Sequence, residues 1–209
     1  MKTEIHYKYC LPTEITVQID SNEKCPVPFP ATIKIIHPEQ RAKRILVKVR
    51  TERLRLPYGD YRLKEYPECC VIERKGGQRE LFKNMFNPLD SVRQAKSFRK
   101  LAGCEYPYIV IELQPEEIVR QNIHVPDVEA LIHKMTLAFA GYGFHVLWIP
   151  WRKRKGVGRY ALGMLMVHLM LGCALQNVLS DGYVKPMVAP AEISDALDDL
   201  PLRIGEIVS

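Results

Sequence analysis

Glu73 and Lys75 lie two positions apart in the run Cys70-Val71-Ile72-Glu73-Arg74-Lys75, which reads as a β-strand closed by Gly76-Gly77. Residues i and i+2 of a strand share a face, so a carboxylate and an ammonium project together while Arg74 turns away. Asp60 lies upstream, on the turn Pro57-Tyr58-Gly59-Asp60 that leads into a second strand at Tyr61-Arg62-Leu63. Pairing of the two strands would bring Asp60 beside Glu73. Two carboxylates at one spot are costly unless a cation neutralises them. Magnesium binds with few carboxylates and several waters, and it reaches phosphate oxygens directly. It can polarise a phosphodiester and help generate the attacking hydroxide. A nearby lysine could orient or activate the water, or stabilise developing charge. An acid-x-lysine pair alone is most often a solvated ion pair. The conjunction with Asp60, and with Asp20 at the end of an earlier strand, makes an active-site cluster the stronger expectation.

These residues need a sheet to hold them. Residues 15–19 alternate and are β-branched, which predicts a strand ending at Asp20. The stretch Cys25-Pro26-Val27-Pro28-Phe29-Pro30 is loop. Residues 45–49 predict another strand, and 53–56 a short one stopped by Pro57. The Tyr61 and Cys70 segments predict a hairpin turning around Glu65 to Glu68. Leu81, Phe82, Met85 and Phe86 have helical spacing. Asn87-Pro88 interrupts, and Leu89, Val92, Ala95, Phe98 and Leu101 predict a second helix stopped by Gly103. Residues 107–112 predict an apolar strand, residues 128–139 a helix that starts near Pro126-Asp127, and residues 144–149 a last strand. Residues 160–177 predict an apolar helix. Strands followed by helix, strand, helix, strand, helix imply an α/β fold with a central mixed sheet. Residues 1–179 are expected to form the domain and 180–209 a C-terminal appendage.

Gly59-Asp60-Tyr61 followed by Val71-Ile72-Glu73-Arg74-Lys75 resembles the GD…ERK signature of the XPF-family structure-specific endonucleases, within the PD-(D/E)xK superfamily. Ile19-Asp20-Ser21-Asn22-Glu23 resembles that family's acidic motif at the end of the first strand. Gln94 falls where the family carries a helical glutamine, and the resemblance runs from about Ile15 to Gln176. It implies a restriction-endonuclease-like mixed β-sheet flanked by helices. It implies Asp60 and Glu73 as ligands of Mg2+ or Mn2+, the main-chain carbonyl of Arg74 as a third ligand, and Lys75 as the catalytic lysine. Asp20, Glu23, Glu80 and Gln94 would stand at the edge of the site. The implied activity is hydrolysis of DNA, at branched or flapped structures, with the nuclease domain also pairing as a homodimer or heterodimer. The chain departs from the pattern at Arg79, where the family has an aspartate, at Asn22, where it has an arginine, and at Asp90, with Arg93 nearby. Arg79 keeps a second reading in play, a catalytically inactive nuclease-fold protein that binds DNA or scaffolds a partner.

The totals agree with a polyanionic partner. The 209 residues carry a net charge of +6 and a pI near 9.0, with 47% apolar and 26% charged residues, enough for a real core. Arg74, Arg93, Arg152, Lys153, Arg154, Lys155 and Arg159 are expected to contact phosphate, the last five on a basic loop with Gly156 and Gly158. That loop has no GK[ST] partner, which excludes a nucleotide P-loop. The six cysteines form no CxxC pair, so neither a zinc site nor a disulfide framework is expected, and the thiols read as reduced in an intracellular protein. No leader is expected at the N-terminus, and the apolar run at 160–175 is short for a bilayer, so no membrane is expected. His133 and His168 read as core or interface residues. Met164, Met166 and Met170 read as core or as a dimer face.

Overall fold

A computed structural model describes residues 11–37, 42–149 and 157–179. Seven strands form one mixed sheet: β1 (Glu14–Asp20), β2 (Thr32–Ile36), β3 (Arg44–Leu54), β4 (Tyr61–Leu63), β5 (Cys70–Lys75), β6 (Tyr106–Ile111) and β7 (His145–Trp148). Their order is β2-β3-β1-β4-β5-β6-β7. β4 is antiparallel to both β1 and β5, β1 is parallel to β3, and β5, β6 and β7 run parallel. The helices are α1 (Gln78–Phe86), α2 (Pro88–Leu101), α3 (Pro115–Ile118), α4 (Val128–Gly141) and α5 (Val157–Leu179). The α/β architecture with a helix-flanked mixed sheet is therefore the one the sequence implies.

The local signals explain the element ends. The Asn87 side chain accepts from the backbone N–H groups of Leu89 and Asp90, and Pro88 at the first helical position needs no donor, so α2 starts where α1 stops. Asp127 caps α4 in the same way through Ala130 N. Three features depart from expectation. Residues 45–49 and 53–54 belong to one continuous strand, β3, because its register with β1 runs unbroken to Leu54. β2 was not foreseen, although Thr32 to Ile36 alternates exposed and buried as an edge strand should. The short α3 is held by a capping box between Gln114 and Glu117.

Val71, Leu81, Phe98, Leu101, Ile109, Ile111, Leu131 and Phe139 form a contiguous core between the sheet and the helices α1, α2 and α4. Each such side chain contributes roughly 1.5–3 kcal/mol by leaving water. α5 buries Leu162, Met166, Val167, Met170, Leu171 and Ala174, spaced as one helical face, while Met164 and Leu165 stay exposed. A Cβ on Gly163 would stand 1.9 Å from the carbonyl oxygen of Pro28, so only glycine lets the helix sit this close to that loop. By length and composition alone, the segment Gly158–Gln176 of α5 would suffice to cross a membrane. His133 and His168, expected in core or interface positions, are exposed on their helices. Residues up to Ala174 form one compact unit, and the last described residues, 175–179, fall in a second. The expected boundary at 180 lies outside the described residues.

Candidate active site

Strand alternation sorts the residues of β5. Val71 points into the core beneath α1 and α2, so Glu73 and Lys75 emerge on that same face. Arg74 lies on the opposite face. Asp60 stands just before β4 and is fixed by its backbone: its N–H donates to Ile72 O at 2.8 Å, and its C=O accepts from Asp20 N at 2.8 Å. The end of β1, the start of β4 and the end of β5 are thus tied at one level. Gly59 makes this approach possible. Its φ is +69°, and a Cβ there would lie 2.3 Å from Val71 Cγ1.

The inner cluster is compact and mostly buried. Lys75 Nζ donates to Glu73 Oε1 at 2.7 Å and to Gln94 Oε1 at 3.1 Å, and Gln94 Nε2 donates to Glu73 Oε1 at 3.3 Å. Glu80 adds a weaker contact to Lys75 at 3.6 Å and accepts from Gly76 N at 3.0 Å. Asp60 Oδ2 accepts from the backbone N–H of Arg74 at 2.7 Å. Burial, then the Glu73 carboxylate, raises the Asp60 carboxyl well above the ordinary range, although Lys75 and the Arg74 N–H pull the other way. Burial alone would lower Lys75, but Glu73, Glu80 and Asp60 outweigh it, and its ammonium is held above the usual lysine value. Lys75 is therefore a cation at neutral pH. Gln94, expected at the edge of the site, stands inside it as the bridge between acid and base.

Asp60 Oδ1 has no donor among the described residues, and the carboxyl it belongs to is desolvated beside a second carboxylate. In an extended strand a residue's own N–H and C=O point to the same side. Since Arg74 donates its N–H to Asp60, its carbonyl is directed there too. Asp60, Glu73 and the Arg74 carbonyl thus offer an all-oxygen set suited to a hard divalent cation. Among the described residues no group of three or more His, Cys, Asp or Glu side chains could hold a metal, so such an ion would complete its shell with water or substrate oxygens.

The Arg74 side chain, expected among the phosphate contacts, is engaged elsewhere. Its Nη2 and Nε donate to both oxygens of Glu23 at 2.8 and 3.2 Å, and Nη1 donates to Glu112 at 2.6 Å. All three side chains are about nine-tenths buried or more. Glu23 also accepts from Cys25 N at 2.8 Å, so this network pins the loop after β1 to the ends of β5 and β6. Glu23 is a brace, and it also lines a hollow shared with Asp60, Glu73 and Lys75. Asp20 braces too, accepting from Leu56 N at 3.0 Å, while its other oxygen lies 3.9 Å from Arg55.

A cleft of about 480 Å³ opens over Asp60, Glu73 and Lys75, walled by Arg55 and Tyr58 on one side and by Arg93, Gln94, Lys96 and Lys100 of α2 on the other. Arg93, expected among the phosphate contacts, lies on this wall and pairs with Asp90 one turn back. Arg159 donates to Cys25 O, and residues 152–155 lie outside the described residues. Lys96 and Lys100 escaped the sequence reading, although their spacing with Arg93 and Gln94 along one helix face was a usable signal.

Comparisons with known proteins add two likenesses. No family model matches the chain, and no curated protein does. Among solved structures the chain is similar to XPF from Aeropyrum pernix, at 20% identity and a TM-score of 0.46, covering 79% of this chain and 67% of that one. It is also similar to XPF from Aeropyrum pernix in complex with DNA, at 18% identity and a TM-score of 0.49, covering 90% and 74%.

Proposed function

We propose that this protein is a Mg2+- or Mn2+-dependent endodeoxyribonuclease that hydrolyses phosphodiester bonds. The observation that carries the reading is the convergence of Asp60, Glu73 and Lys75 at the floor of a cleft whose rim is basic. Asp60, Glu73 and the Arg74 carbonyl would hold the ion, which when bound supplies Lewis acidity and a water of lowered pKa. Lys75, whose Nζ donates to Glu73 and Gln94, would donate a hydrogen bond to the attacking water or to a phosphoryl oxygen as charge develops. Gln94 fixes the direction of the Lys75 ammonium and holds Glu73 in one rotamer. Hydrolysis forms one P–O bond to water and breaks one to the departing sugar oxygen. The resemblance in sequence adds branched or flapped DNA as the preferred substrate, and a second copy or a related subunit as the partner of the nuclease unit.

The test is cleavage of a labelled panel of linear duplex, single strand, 3′ flap, 5′ flap, fork and four-way junction in EDTA, Mg2+ or Mn2+, with Glu73→Ala as the control. Metal-dependent cutting that disappears in Glu73→Ala is the expected result. Binding without cutting under any metal would replace the nuclease by the second reading, a non-catalytic binding or scaffold protein. That reading is favoured by one observation, the direct Lys75–Glu73 pairing that already neutralises a metal-ligand carboxylate.

A further inference from the structure

The cleft over the carboxylates is one part of a longer trough. A second hollow of about 290 Å³ shares Asn22, Asp60, Glu73, Lys75 and Glu80 with it. A third, of about 650 Å³, shares Cys25, Arg74 and Glu80 with the second and reaches Arg79 on α1. Most charges along this path are paired. Arg74 bridges Glu23 and Glu112, Lys75 faces Glu73 and Glu80, and Asp90 takes both Lys83 and Arg93. Four exposed cations are left without an anionic partner among the described residues: Lys96 and Lys100 in the first hollow, Lys24 in the second and Arg79 in the third.

We propose that Lys96 and Lys100 on one side, and Arg79 on the other, form a phosphate track that holds one nucleic-acid strand across Asp60 and Glu73. The inference rests on reading the carboxylate pair as the seat of a phosphodiester. Cations that converge on one point would take a single phosphate. These three are strung along a trough on both sides of the acidic centre, a layout that suits a polyanionic chain. Lys96 and Lys100 stand one helical turn apart, about 6 Å at 1.5 Å per residue, so a strand lying along α2 meets them in succession. Arg79, which occupies a position where an acid was expected, then serves the track as a cation on the far side of the centre. Lys96 and Lys100 extend the wall on which Gln94 directs Lys75, so the track and the inner cluster share one rigid helix.

The experiment measures affinity for a fluorescent DNA duplex across a range of salt concentrations without divalent metal, so that nothing is cut. Each lost phosphate contact lowers the slope of log K against log salt by about 0.9 on duplex DNA. The slope is expected to fall by about 1.8 in Lys96→Ala/Lys100→Ala, by about 0.9 in Arg79→Ala and by about their sum in the triple variant. Lys34→Ala, on the edge strand β2, should leave it unchanged. All four positions are exposed, so unchanged thermal melting confirms folding. An unchanged slope in either set, or no binding of nucleic acid by the unaltered protein, would overturn the track. Expected slopes in a chain that cuts nothing would keep the track and remove the nuclease. Metal-dependent cutting with flat slopes would do the reverse.

Discussion

Lys75 Nζ lies 2.7 Å from Glu73 Oε1, two residues back on the same strand face, with 4% and 11% of the two side chains exposed. Pairs this buried behave unlike surface ion pairs, because removing one partner strands the other charge without water. Lys75→Ala should therefore do two things at once. It should abolish cleavage, and it should cost on the order of 3 kcal/mol of stability because Glu73 keeps only Gln94 as a partner. Urea denaturation beside the cleavage assay checks both, and a variant as stable as the parent would contradict the buried pairing.

Asp60 gives a pH dependence of defined sign. Its carboxyl is raised in the folded state, by burial and then by Glu73, so folding favours its protonated form. That contribution is complete below the ordinary carboxylate value and is lost as pH rises through the raised one. Asp60→Asn keeps an acceptor for the Arg74 N–H but carries no charge. It should melt higher than the parent at neutral pH, with a flatter pH profile in the window above the ordinary value, and it should cut no DNA. Equal melting temperatures across that window would remove the coupling between Asp60 and Glu73.

The same pair predicts metal linkage. Mg2+ or Mn2+ should raise the melting temperature of the parent, by an amount equivalent to about 2.7 kcal/mol at a hundredfold excess over Kd. Glu73→Ala, which deletes one of the two carboxylates, should show little of this gain. A shift of equal size in both would place the ion elsewhere.

Gly59→Ala tests the positioning of Asp60 without touching its carboxylate. The positive φ and the contact with Val71 both oppose a methyl group. The backbone strain alone should cost about 1–3 kcal/mol. Metal-dependent stabilisation should weaken as Asp60 moves from Glu73. Denaturant midpoints with and without Mg2+ report the two effects separately.

Arg74→Met separates two roles for one side chain. A phosphate contact would lose DNA affinity and little stability. The buried ties to Glu23 and Glu112 instead predict a loss of about 3–5 kcal/mol, with Glu23 and Glu112 left uncompensated. Chemical denaturation decides between them.

Much of the centre was legible because it is local. The two-residue period of a strand sends Glu73 and Lys75 to one face and Arg74 to the other, whatever surrounds them. Asn87-Pro88 and Asp127 mark helix starts through bonds made within three residues. By itself, then, the sequence determined most of the strands and helices though not β2 or α3, the shared face of Glu73 and Lys75, the turn that carries Asp60 and the basic charge that suits a polyanionic partner. The rest depended on contacts between distant segments. Glu23 and Arg74 are 51 positions apart, and Gln94 meets Glu73 from another element 21 positions away. Nothing periodic in the chain encodes such registers, which follow from how the parallel and antiparallel strand pairs align their ends. The tertiary structure alone decided that Arg74 is buried against two acids and that Gln94 lies within the cluster. It alone decided which cations lie along the trough without partners, because charge compensation is a property of neighbours in space.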